Sequence, residues 1–167
     1  PATISFLKAL KKNNSKPWFD ENRSKYEAAK KDFENLVQTI IDAHAKNDPS
    51  LTDLKAKECM FRINRDVRFS KNKSPYKTNF GASINAGGKK SMKAGYYFHI
   101  EPGESFAGGG IYMPMAPELK KVRQEIEYNS DEFRSIVEGK KFRSVFGGLS
   151  ESEGMKISRV PQGFDKE

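Results

Sequence analysis

The sequence predicts an α+β fold: an antiparallel meander sheet flanked by a long N-terminal helix and by C-terminal helices, in a single domain over residues 1–167. Three observations carry this. Up to about residue 45, apolar side chains recur at three- and four-residue spacing, the period of an amphipathic helix. Between residues 80 and 113, short runs rich in aromatic and β-branched residues alternate with Gly- and Pro-containing turns, which is the pattern of consecutive strands joined by short connections. The helical period then returns. Helices, then strands, then helices is the order of an α+β chain, not of an alternating α/β one.

Each element has a local reason. Thr3 is suited to cap a first helix over "ISFLKALKK", with Ile4, Phe6, Leu7 and Leu10 on one face. Pro17 fits the first turn of a second, long helix over 17–45, where Asp20 and Glu21 favour the positive end of the dipole. Trp18, Phe19, Tyr26, Ala29, Phe33, Leu36, Val37, Ile40 and Ile41 form its apolar face, and "KNDPS" stops it. "FGASIN", "GYYFHIE" and "SFAGGGIYM" read as strands; "NAGGKKSMKAG" is a hairpin tip with three lysines, and Pro102-Gly103 makes the second turn. One helix starts at Pro117, and another runs from a Ser130 cap to Gly139. "MKISRVP" reads as a last strand.

Composition excludes several classes. A chain of 167 residues with 36% hydrophobic and 11% aromatic content can bury a core and is not a disordered composition. No run approaches the roughly 20 apolar residues of a membrane-spanning helix, and the opening lacks the basic-then-apolar order of a signal peptide. Cys59 is the one cysteine, so the expected setting is reducing and cytoplasmic. His44, Cys59 and His99 lack metal-ligand spacing. No metal site is expected, and no cofactor is indicated.

The net charge of +8 is unevenly distributed. Residues 62–82, "RINRDVRFSKNKSPYKTNFGA", contain six basic side chains and one acidic one, a net +5. A concentrated excess steers an anionic partner. Read as an extended strand, Met60–Arg68 places Phe61, Ile63, Arg65 and Val67 on one face and Arg62, Asn64, Asp66 and Arg68 on the other. Arginine forks suit planar oxyanions, and Asp66 is placed to orient them. Arg62, Arg65, Arg68, Lys73 and Lys77 are the candidate charges for ligand binding, with Ser74, Tyr76 and Asn79 as hydrogen-bonding partners. Phe69, Tyr76 and Phe80 offer an alternative, a stacking platform for single-stranded nucleic acid, but no RNA-recognition or helix-turn-helix signature accompanies them.

On the strand Gly95–Glu101, alternation puts Tyr97, His99 and Glu101 on one face and Tyr96, Phe98 and Ile100 on the core side. His99 and Glu101, with Asp66, are the candidate acid–base residues. Three glycines, Gly108, Gly109 and Gly110, inside a strand point to a bulge or a close approach by ligand or backbone; Gly109 is taken as a binding position.

Taken together, "FRINRDVRFSKNKSPYKTNFGA", "YYFHIEPGESFAGGGIYMP" and the opening "FLKALKKNNSKPWFDENRSKYE" resemble the domain-of-unknown-function family numbered 2461. The resemblance implies a cytosolic α+β domain and brings no reaction with it. It also implies a continuation past "SRVPQGF" into a lysine-rich strand and a closing helix, so the chain is expected to lack its natural C-terminal elements. The expected function is binding of a small phosphorylated or carboxylated anion in a basic pocket, with or without turnover. A nucleic-acid-binding module and a protein-interaction scaffold are the alternatives.

Overall fold

The structure, a computed structural model, describes residues 1–149, 157, 159–161 and 163–164. Its internal contacts divide the chain into two compact units, Pro1–Met113 and Pro114–Glu167. The fold is α+β, with a three-stranded antiparallel sheet among the described residues.

The first unit opens with α1 (Ala2–Lys12), α2 (Lys16–Glu21) and α3 (Arg23–His44). The single long helix expected over 17–45 is thus two. Asn22 divides them: its side-chain amide donates to the Trp18 carbonyl at 2.9 Å, and its backbone leaves the helical region at φ −106°, ψ 21°. Such local bonds let asparagine compete with helix continuation. Thr3 lies inside α1 and does not cap it; its backbone N–H donates to Asp32 at 3.1 Å and its hydroxyl lies 2.6 Å from the same carboxylate, joining α1 to α3.

Ala29, Phe33, Val37 and Ile41 are spaced four residues apart along α3 and are buried, as one helical stripe requires. They meet Leu7 and Leu10 of α1 and the inner face of the sheet. A 3-10 turn at Pro49–Leu51 and the short α4 (Ala56–Cys59) close the helical layer.

The sheet is the expected meander, β1 (Phe80–Ile84), β2 (Gly95–Ile100) and β3 (Phe106–Gly110). Ala82 pairs with Phe98 and Phe80 with Ile100, on the core side; Gly81 pairs with His99 and Ser83 with Tyr97, on the other. β3 forms an edge, with Phe106 opposite His99.

Met60–Arg68 does not form the expected strand. It touches the following segment through two isolated bridges, Met60 with Ala82 and Asn64 with Tyr76. Pro75 has no N–H to extend the ladder, so alternation between faces breaks down: Ile63 is buried, whereas Phe61 is exposed. The triple glycine is not crowded by a neighbouring element either. A Cβ on Gly108 would meet nothing within 4 Å, and Gly110 has φ +136°, a backbone state that glycine tolerates best.

In the second unit, α5 (Ala116–Tyr128), α6 (Ser130–Val137) and α7 (Lys140–Phe146) follow one another. The third of these was not expected from the sequence: Gly139 ends the preceding helix and also serves as the N-cap of α7. No helical residue here is buried among those described. Of the strand expected at 155–161, residues 155, 156 and 158 fall outside the described residues, and the described ones, 157 and 159–161, are not in a strand.

Candidate functional site

The face of the sheet opposite α3 floors a cavity of about 760 Å³. Ser83 and Gly81 of β1, Tyr97 of β2 and Phe106 of β3 line it, with Gly109 and Gly110 at the β3 edge. The β1–β2 hairpin folds over one end. There a left-handed Gly87 at φ +100° leads into a 3-10 turn that brings Lys89, Lys90 and Lys93 to the rim. Lys77 reaches the same cavity from the segment before β1. Four lysines therefore line it, and among the described residues no carboxylate does. Phe61, Tyr96, Ile111 and Tyr112 supply apolar and aromatic wall.

A smaller hollow of about 380 Å³ adjoins it, lined by Lys11, Arg65, Ser74 and Thr78 among others. Lys77 and Asn79 line both hollows. Burial pushes the Lys77 ammonium below its ordinary range, and the Arg62 guanidinium adds to this. A cation held at such a cost gains from a bound anion.

A polar chain runs along the same sheet face. The His99 Nε2 lies 3.0 Å from Glu101 Oε2, and both side chains are largely buried, at 17% and 14% exposed. The Thr78 hydroxyl donates to Glu101 Oε1 at 2.7 Å. Burial alone would raise the Glu101 carboxyl, but the hydrogen bonds from Thr78 and His99 outweigh it and hold the group below the usual carboxylate range. An ionised carboxylate only accepts, so His99 Nε2 carries the proton and donates. In the neutral ring Nδ1 is then the acceptor, facing the Tyr97 hydroxyl at 3.2 Å and the Asn79 amide nitrogen at 3.4 Å. The Phe106 ring stacks on the imidazole, with centroids 4.9 Å apart and planes at 14°. Gly81 makes the room: a Cβ there would come within 2.8 Å of the Tyr97 hydroxyl. Burial, with Tyr112 adding to it, raises the Tyr97 phenol.

The sequence-derived candidates thus divide. His99 and Glu101 meet as an acid–base pair would. Lys77, Asn79 and Gly109 line the large cavity, and Arg65, Ser74 and Tyr76 line the small hollow. Arg62, Asp66, Arg68 and Lys73 line neither. Arg68 forks onto Asp66, at 2.9 and 2.6 Å, on an exposed loop, and this pair accounts for the Asp66 carboxyl lying below its ordinary range. Lys73 donates to the Val67 carbonyl at 3.0 Å. Tyr76 is buried, its ring stacked 4.0 Å from Phe19, and its backbone is clamped by Asn14. With Phe80 also buried, only Phe69 of the proposed stacking trio is exposed.

Lys89, Lys90 and Lys93 were legible as a lysine-rich turn but were not assigned to the site. Tyr97 was legible only as sharing a face with His99. Nothing local in the sequence folds the hairpin tip over the sheet.

Among the described residues, no helix is long and apolar enough to cross a membrane. No curated protein and no solved structure matches the chain. The family model described as "Conserved hypothetical protein (DUF2461)" matches residues 2–167, and the chain belongs to that family.

Proposed function

We propose that the first unit binds a small anionic ligand, phosphorylated or carboxylated, over the face of its sheet opposite α3. The observation that carries this is the cavity of about 760 Å³ lined by four lysines and, among the described residues, by no carboxylate. Its volume lies in the range of small-molecule sites, which combine apolar wall with a few polar groups. Lys77, Lys89, Lys90 and Lys93 supply charge, and Asn79, Ser83 and Tyr97 supply hydrogen bonds. His99 and Glu101 give the site a means of moving a proton, so turnover is part of the reading. A buried Cys59, its thiol pushed by burial up to about 11, is unreactive and fits a cytoplasmic setting.

The nucleic-acid reading loses its main support, because Tyr76 and Phe80 are core residues. The arginine loop of residues 62–73 acts in this picture at long range, steering anions toward the lysines.

A ligand that binds only the native state raises its melting temperature. Phosphate, sugar phosphates, nucleotides, dicarboxylates and a short oligonucleotide are compared at two salt concentrations. A small anion is expected to raise the melting temperature at both, and Lys77→Ala to abolish the shift. A shift produced by the oligonucleotide alone, vanishing at high salt, would overturn the reading in favour of nucleic acid. No shift from any of these probes would overturn it altogether.

A further inference from the structure

We infer that Tyr97 is the residue that exchanges a proton with a ligand in the cavity, and that His99 and Glu101 position and drive it. This rests on the reading of the cavity as a ligand site.

His99 is poorly placed to touch a ligand. Its Nε2 is occupied by Glu101 and its Nδ1 faces Tyr97 and Asn79. Phe106 covers its ring face, and it does not line the cavity, whereas Tyr97 does. Carboxylate, imidazole and phenol thus form one line that ends at a residue lining the cavity, its hydroxyl lying over Gly81, which lines it too. Gly81 leaves space for that oxygen where any other side chain would push it away. The phenol is held protonated by burial, so it acts only if a base takes its proton.

The step balances as follows. A proton leaves a bound ligand for Tyr97 Oη while the phenolic proton passes to His99 Nδ1. The resulting imidazolium is countered by Glu101, and the electron pair left on the ligand faces Lys77. The reverse sequence donates a proton. The ligand class this serves is a small anion with a removable proton close to its charged group.

Two arylsulfonyl fluorides test this without knowledge of the substrate: uncharged benzenesulfonyl fluoride and its para-carboxylate. Tyr97 Oη bonds to sulfur, the S–F bond breaks, fluoride leaves and the phenolic proton goes to His99. Peptide mass spectrometry reads the rate at each tyrosine. Tyr97 is expected to react faster than the exposed Tyr112 and Tyr128. His99→Gln and Glu101→Gln are each expected to slow it by about 10-fold or more, and added imidazole to restore the rate in His99→Ala. If the His99 variants fail to fold, Glu101→Gln carries the same test. Labelling of Tyr97 no faster than Tyr112 and Tyr128, or wild-type rates in folded His99→Gln and Glu101→Gln, would overturn the inference. Lys77→Ala is expected to slow the carboxylate reagent alone. Equal rates for the two reagents at a still-selected Tyr97 would support the relay while removing the anion-binding reading.

Discussion

On the α3 side of the sheet, Phe80, Ala82 and Ile84 are almost wholly buried, and Phe98 and Ile100 pack against them. On the other side the same two strands present Gly81, Ser83, Tyr97 and His99 beside a cavity. Adjacent residues of one strand therefore serve opposite ends, because successive side chains point to opposite faces. The inner face is held by non-directional apolar burial. The outer face is held by directional bonds, Thr78 to Glu101, Glu101 to His99 and His99 to Tyr97. Damage on the inner side should therefore appear as lost stability, and damage on the outer side as lost geometry at modest cost.

The largest expected effect is on the inner face. Phe33 is 1% exposed and stacks on Phe80 at 5.3 Å. Phe33→Ala should cost about 3–5 kcal/mol, read by chemical denaturation. A loss under about 1 kcal/mol would mean that α3 does not clamp the sheet as described.

Gly81→Ala sharpens the contrast within β1. The added Cβ would displace the Tyr97 hydroxyl, the movable end of a side chain. The stability cost should be about 1 kcal/mol, the low end for overpacking, yet Tyr97 should lose its selectivity toward the sulfonyl fluoride. Selective labelling retained in this variant would show that the phenol does not need the space above Gly81.

The smallest effect is a slope. Glu101 has its carboxyl depressed in the folded state. Its contribution to stability is present above the carboxylate's unfolded value and is lost as pH falls through the folded one. The wild type should therefore lose more stability than Glu101→Gln on acidification through and below the ordinary carboxylate range, as followed by thermal melts. Parallel pH profiles for the two would show that the Thr78 and His99 bonds do not favour the ionised form.

Much of the fold could be read directly. The apolar stripe of α3 and the alternation in "GYYFHI" depend on local periodicity and were placed correctly, except for Leu36, 45% exposed, and Tyr96, expected on the core side but 41% exposed and lining the cavity. So was the pairing of His99 with Glu101, since residues two apart on a strand share a face. The split at Asn22 was missed because the apolar period continues across it. The extended reading of Met60–Arg68 rested on alternation between faces alone, but a ladder also needs a partner with donors, and Pro75 interrupts it. Asp66 and Arg68 looked like a binding site because sequence cannot tell a cation available to a ligand from one already paired.

The sequence by itself determined the inner and outer faces of the meander, Tyr96 apart, and that positive charge gathers in the segment leading into it. These follow from the geometry of the chain and from simple counting. Only the tertiary structure decided which cations line the cavity. Lys89, Lys90 and Lys93 arrive by the folding of a hairpin tip over the sheet, while Arg62 and Arg68 remain outside. A side chain's chemical setting depends on contacts distant in sequence, and a local pattern does not encode those contacts.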